Sequence, residues 1–197
     1  MSDDVVLAVD GGNSKTDLAL LQADGKLLAL ERGAMSSPQH LGIDGSLEVL
    51  EGLLDEAVRN AGLTRNGTVA TVTQLLMAGV DFATEEEEFR AAVAGRGWAR
   101  ETRVGNDTFA VLRAGTERGW GVAVVCGAGI NCVGVSPDGR HARFPALGAI
   151  TGDVVTVRKA LLAHPLIGQH EYASELAERL LSVGAEHLPQ FSREVTA

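Results

Sequence analysis

The apolar positions of this chain change period several times, and each change marks an element. Val5 to Val9 is a short β-branched apolar run, which predicts a buried strand. It stops at the turn cluster Asp10-Gly11-Gly12-Asn13-Ser14, and Thr16 to Gln22 predicts a second strand. Asp24-Gly25 is a hairpin signal leading to a third strand over Lys26 to Leu30. From Ser46 to Ala61 the period becomes helical, with Leu47, Leu50, Leu54, Ala57 and Val58 on one face. The predicted helix is capped near Asp44 or Ser46 and ended by Gly62.

Val69 to Val80 then holds a strand running into Ala78-Gly79-Val80-Asp81. Thr84 and four glutamates open a helix, where acidic side chains suit the positive helix end. A short strand at Arg103 to Gly105 leads through Asn106-Asp107 into a helix reaching about Glu117. Val122 to Val125 is another buried strand, and Gly127 to Val135 pairs with Arg140 to Phe144 through Pro137-Asp138-Gly139. Two helices follow, near Val155 to Ala163 and Tyr172 to Val183. The order β-β-β-α-β-α-β-α-β-β predicts an α/β fold with a mixed sheet and helices on its faces.

Composition narrows the function classes. The 197 residues are 45% hydrophobic and 22% charged, as in an ordinary globular chain. The net charge of −9 argues against nucleic acid or an anionic membrane as partner. No leader segment or bilayer-length apolar run is visible, so a cytoplasmic protein is expected. Cys126 and Cys132 alone predict neither a disulfide framework nor a metal site.

Four stretches carry candidate chemistry, and each has a plain alternative. In Asp10-Gly11-Gly12-Asn13-Ser14-Lys15-Thr16 the glycines let backbone approach an anion, and successive N–H groups can cradle phosphate oxygens. Asp10 at the strand end can hold a Mg²⁺-bound water. The alternative is an ordinary hairpin turn, and the spacing is not that of a Walker A loop. Cys126 to Cys132 is a second glycine-rich turn of the same kind, and it lacks the dinucleotide-binding spacing. Asp107 can act as a general base or as a helix cap, and the cap is the commoner use of aspartate at that position. Gly148-Ala149-Ile150-Thr151-Gly152-Asp153 can touch substrate or simply turn. Their order decides more than any one of them: two phosphate-type turns flank a strand-Asp-helix, all at strand ends, where α/β sheets bind ligands.

These four stretches, with Ala78 to Asp81 as a fifth (in order Asp10 to Thr16, Ala78 to Asp81, Asn106-Asp107, Gly127 to Asn131, Gly148 to Asp153), resemble the BadF/BadG/BcrA/BcrD ATPase family, which includes the N-acetylglucosamine kinases. The resemblance covers about residues 4 to 153. It implies an RNase H-like lobe of the actin/hexokinase/Hsp70 ATPase superfamily, with ATP and Mg²⁺ as cofactors and an amino sugar as substrate. By the same resemblance Gly11, Gly12, Asn13, Ser14, Lys15 and Thr16, with Gly127, Ala128 and Gly129, bind ATP phosphates. Asp10 is the metal-side acid, and Asp107 is the base that deprotonates a sugar 6-hydroxyl. Ser37, Asp81, Ile130, Asn131, Gly148 and Asp153, with Asp107, fall on sugar-side positions. Ser37 stands where these kinases usually carry asparagine, and Ala128 where they carry threonine or serine.

The tail departs from this pattern. Lys159 to Gln169 and Glu186 to Phe191 resemble the C-terminal end of family 4 glycoside hydrolases, the 6-phospho-β-glucosidases. The expected organisation is therefore a kinase lobe over residues 1–153 and a helical tail over residues 154–197 in place of a second lobe. An ATP-dependent sugar kinase, truncated or fused and of low activity, is the leading expectation. A non-catalytic sugar- or phosphate-binding remnant able to form a homodimer, or a dehydratase-activating ATPase, are the alternatives.

Overall fold

The structure, a computed structural model, describes residues 4–65, 67–126 and 130–144. The chain divides into two compact units, residues 1–123 and 124–197. The expected boundary at residue 153 and both tail helices lie outside the described residues.

The first unit is built on strands β1 (Val5–Gly11), β2 (Thr16–Gln22), β3 (Leu27–Gly33), β4 (Ala70–Met77) and β5 (Ala99–Asn106). They form one sheet in the order β3-β2-β1-β4-β5. β1 pairs antiparallel with β2 and β2 with β3, whereas β1–β4 and β4–β5 are parallel. The hairpins come first because Gly12 to Lys15 and Ala23 to Lys26 close tight turns, sealed by Gly12 N–H to Lys15 O and Gln22 N–H to Lys26 O. Parallel pairing then needs crossovers, which α1 (Pro38–Asn60) and α2 (Ala83–Gly95) supply.

Alternate strand residues (Leu7, Val9, Leu18, Leu20, Leu75, Met77) form one core with Leu47, Leu50, Leu54, Phe89 and Val93 of these two helices. The helical period read from the sequence thus marks the face that meets the sheet. The helix starts earlier than the sequence predicts, however. Ser37 is extended, Pro38 begins the helix, and the axis breaks at Gly42, whose φ is 69°. That glycine hides the first turn from a periodicity argument, while Pro at the first helical position is the usual start signal.

The short helix α3 (Thr108–Gly115) follows β5 and ends two residues before the predicted Glu117. The last three strands, β6 (Gly121–Cys126), β7 (Ile130–Val135) and β8 (His141–Phe144), form a sheet of their own in the order β6-β7-β8. The sequence pattern had run all the strands into one sheet, and periodicity carries no information on which strands pair. Val122 and Val124 are exposed on β6, while Val133 of β7 is fully buried. Among the described residues no helix is long and apolar enough to cross a membrane.

Candidate functional site

The parallel pairs put three sequence stretches on one rung. Gly11 pairs with Met77, and Met77 pairs with Asn106. Immediately beyond that rung lie the Gly12 to Lys15 turn, Ala78 to Asp81, and Asp107. Backbone hydrogen bonds tie these ends together: Ala78 N–H donates to Gly11 O at 2.7 Å, Asp107 N–H to Met77 O at 3.3 Å, and Ser36 N–H to Gly12 O at 3.3 Å. The segment entering α1 therefore joins the cluster.

Glycine is required where the approach is closest. A Cβ on Gly11 would lie 2.4 Å from Met77 Cε and 2.8 Å from Ser36 Oγ. Gly79 has φ +75°, and a Cβ there would meet Gln39 Cβ at 2.6 Å and Ser37 Oγ at 2.7 Å. That contact also places Ser37 against the 78–81 loop. Ser37 is fully buried, and its hydroxyl oxygen has no hydrogen-bond partner.

Within the first turn, several of the groups expected to face phosphate make hydrogen bonds that hold the turn together. Gly12 N–H closes it onto Lys15 O. Thr16 is fully buried and donates its hydroxyl to Ser36 Oγ at 2.7 Å. Ser36 O accepts in turn from Ser46 Oγ at 2.5 Å. Lys15 Nζ reaches back to Asp17 at 2.8 Å. What the turn presents at its tip is the backbone of Asn13 and Ser14, together with the Asn13 side chain, whose buried Oδ1 has no partner.

Asp10 and Asp17 are direct cross-strand partners. Arg32 lies on Asp17 at 2.5 Å, and this hydrogen bond is the main reason the Asp17 pKa falls to about 2. Asp10 moves the other way: partial desolvation raises its pKa, the Asp17 charge adds to that, and Lys15 opposes it.

Asp81 accepts from Asn106 Nδ2 at 3.0 Å, and its backbone N–H donates to Glu85 Oε2 at 2.7 Å. Asp107 occupies the capping position of α3 without making a side-chain cap bond. The capping alternative for Asp107 thus gives way to its neighbour: Asn106 Oδ1 accepts from Thr108 N–H at 3.0 Å.

The structure brings Asp10, Gly11 to Thr16, Ser37, Asp81 and Asp107 into the first unit. Ile130 and Asn131 begin β7, in the second. Gly127, Ala128, Gly129, Gly148 and Asp153 lie outside the described residues. Sequence reasoning missed Ser36 and the double role of Asn106, and it read Ser46 as a helix cap, whereas Ser46 lies inside α1 and holds Ser36 O. A Ser-Ser-Pro run just before a helix was the available signal for the first of these.

A five-stranded mixed sheet with two leading hairpins, flanking helices and glycine turns at the carboxyl ends of its parallel strands is the architecture of an actin/hexokinase-type lobe. Residues 7–173 match the BadF/BadG/BcrA/BcrD ATPase family, and the chain belongs to that family. The match runs past residue 153 into the segment read as a separate tail. An N-acetylmuramic acid/N-acetylglucosamine kinase from Clostridium acetobutylicum is 29% identical over 151 residues, which are 75% of this chain and 48% of that protein. An N-acetyl-D-glucosamine kinase from Dictyostelium discoideum is 25% identical over 161 residues, 78% of this chain and 50% of that one. The chain thus spans about half the length of the curated relatives it matches.

Among solved structures, a Chromobacterium violaceum protein assigned as an N-acetylglucosamine kinase superposes with a TM-score of 0.60 at 26% identity. The match covers 73% of this chain and 49% of that one. A ROK family glucokinase from Streptomyces griseus, solved with glucose and AMPPNP, superposes at 0.51 and 18% identity over 73% of this chain and 48% of its own, a likeness of fold alone.

Proposed function

We propose that this chain supplies the substrate-side lobe of an ATP-dependent kinase that phosphorylates a hydroxyl of an amino sugar. The observation that carries the reading is the shared rung Gly11, Met77, Asn106, which sets a phosphate-type turn, the 78–81 loop and Asp107 side by side. The names of the relatives support the sugar class.

In this reading Asp107 accepts the proton of the attacking hydroxyl, a role worth roughly 10²–10⁴ in rate. Ser37 and Asp81 contact the sugar. The tip of the 11–16 turn receives phosphate oxygens. The residues present fit Mg·ATP. A magnesium ion carried by ATP is held mainly by phosphates and water, and needs a single carboxylate beside it. Asp10 is that carboxylate, because an adjacent cation relieves the charge that its surroundings disfavour. The ion would neutralise phosphate charge.

The test is ADP release with Mg²⁺, ATP and N-acetylglucosamine or glucosamine, run beside Asp107→Asn. An NMR titration of the labelled chain with the sugar accompanies it. We expect the sugar to perturb amides at 36–37, 79–81 and 106–108, and Asp107→Asn to remove whatever sugar-dependent turnover the chain has. Unperturbed spectra, or turnover that survives Asp107→Asn, would sink the reading.

A further inference from the structure

Asn106 ends β5 and is fully buried. A carboxamide has two N–H donors and a carbonyl oxygen with two lone pairs. All four capacities are used. Nδ2 donates to Val80 O at 3.1 Å and to Asp81 Oδ1 at 3.0 Å. Oδ1 accepts from Thr108 N–H at 3.0 Å and from Thr108 Oγ1 at 2.5 Å. One side chain therefore bridges two loops: its donor half grips the 78–81 loop, and its acceptor half caps α3 immediately after Asp107. The Asp107 backbone is already helical, with φ −60° and ψ −25°.

We propose that Asn106 is a positioning residue of the sugar site: its buried carboxamide fixes the Asp81 carboxylate and the start of α3, and so sets how Asp81 and Asp107 face one bound polyhydroxylated ligand. This rests on the sugar-kinase reading above. The chemistry demands an amide. Aspartate has the same shape and keeps both acceptor contacts, but it turns an oxygen toward the Val80 carbonyl and the Asp81 carboxylate, which repels both. Serine supplies one donor at most and does not reach both loops. A ligand that bridges Asp81 and Asp107 reads their separation, so loosening Asn106 weakens the ligand without removing any group that touches it.

Two measurements on the isotope-labelled full chain test this. The first needs no ligand. In Asp81→Ala one proton of the Asn106 side-chain NH₂ loses its acceptor. Its resonance moves upfield and its solvent exchange quickens, while the Thr108 amide stays in place. Asn106 resonances unmoved by Asp81→Ala would show that no bridge exists and overturn the proposal. The second is titration with N-acetylglucosamine. Asn106→Ser raises the dissociation constant about tenfold or more, the scale for a lost hydrogen bond to a charged group. The backbone chemical shifts of β1 and β4 stay at their wild-type positions, so the weaker binding reports the site and not loss of the fold. Asn106→Ser binding the sugar as tightly as the wild type overturns positioning and leaves the sugar-kinase reading intact. Wild-type protein that fails to bind the sugar overturns that reading and, with it, a sugar site for Asn106 to position.

Discussion

The flank of the first sheet and the carboxyl ends of its parallel strands are built on opposite terms. On the flank, Glu51 of α1 accepts the indole N–H of Trp98 at 2.8 Å, pairs with Arg65, and lies 4.0 Å from Arg96. Arg65 reaches Asp55 as well. Charge and donor are matched there, around a tryptophan only 2% exposed. At the strand ends, Ser37 buries a hydroxyl with no partner, Asn13 buries an unmatched carbonyl, and Asp10 is a carboxylate whose ionisation its surroundings disfavour. Two glycines pack there where no side chain fits. Stability alone would remove each of these features. Ser37, Asn13, Asp10 and the two glycines gather around the Gly11–Met77–Asn106 rung, at the end of the sheet where the proposed sugar site lies.

The largest expected effect comes from forcing a side chain into the strand ends. Gly79→Ala places a Cβ at positive φ and against Gln39 Cβ, where the contact lies in side-chain stem and cannot swing away. Strain and overpacking together destabilise by about 3 kcal/mol. Urea unfolding measures it, and a midpoint equal to wild type would show that the loop is not held as tightly as its contacts imply.

A contrasting pair of substitutions sharpens the comparison at smaller magnitude. Trp98→Phe deletes the indole N–H under Glu51 and part of a buried ring, and destabilises by about 1–2 kcal/mol. Ser37→Ala deletes a buried hydroxyl that bonds to nothing and makes no cap bond to α1. It leaves stability unchanged or raises it by up to about 1 kcal/mol, while weakening sugar in the NMR titration. Equal losses of stability in the two variants would erase the distinction between flank and site.

What the sequence discloses and what it conceals divide along the same line. The β-branched run of β1, the Asp24-Gly25 turn and the helical face of α1 are local patterns, and the fold follows them. The five motifs in order disclose the family. Long-range side-chain pairings leave no local trace: Thr16 with Ser36 across 20 positions, or Asn106 with Asp81 across 25. Gly42 conceals the first turn of α1 because a break in the helix looks like its absence. Division of the strands into two sheets is likewise a matter of pairing, which alternation of apolar residues does not encode.

The smallest effect is the most diagnostic, because it sets two facing aspartates against each other. The Asp17 pKa falls from its ordinary 3.8 to about 2, chiefly through the hydrogen bond from Arg32. A lowered carboxylate pKa stabilises the fold above pH 3.8, and that contribution is lost as pH falls toward 2. Asp17 belongs to a surface ion pair, so the contribution stays under about 1 kcal/mol. Asp10 has the opposite sign. Its folded pKa is raised, so its ionised form opposes folding at neutral pH, and acidification through the folded pKa relieves that opposition. Asp10→Asn is therefore slightly more stable than wild type at pH 7, and its advantage shrinks as pH falls toward 4. Asp17→Asn is less stable at pH 7, and its deficit shrinks only below about pH 4, toward the shifted value. Thermal melts from pH 7 to pH 3 check both signs in one series. If Asp10→Asn instead proves less stable at pH 7, Asp10 is a structural carboxylate like its partner, and the comparison between flank and strand ends loses its sharpest case.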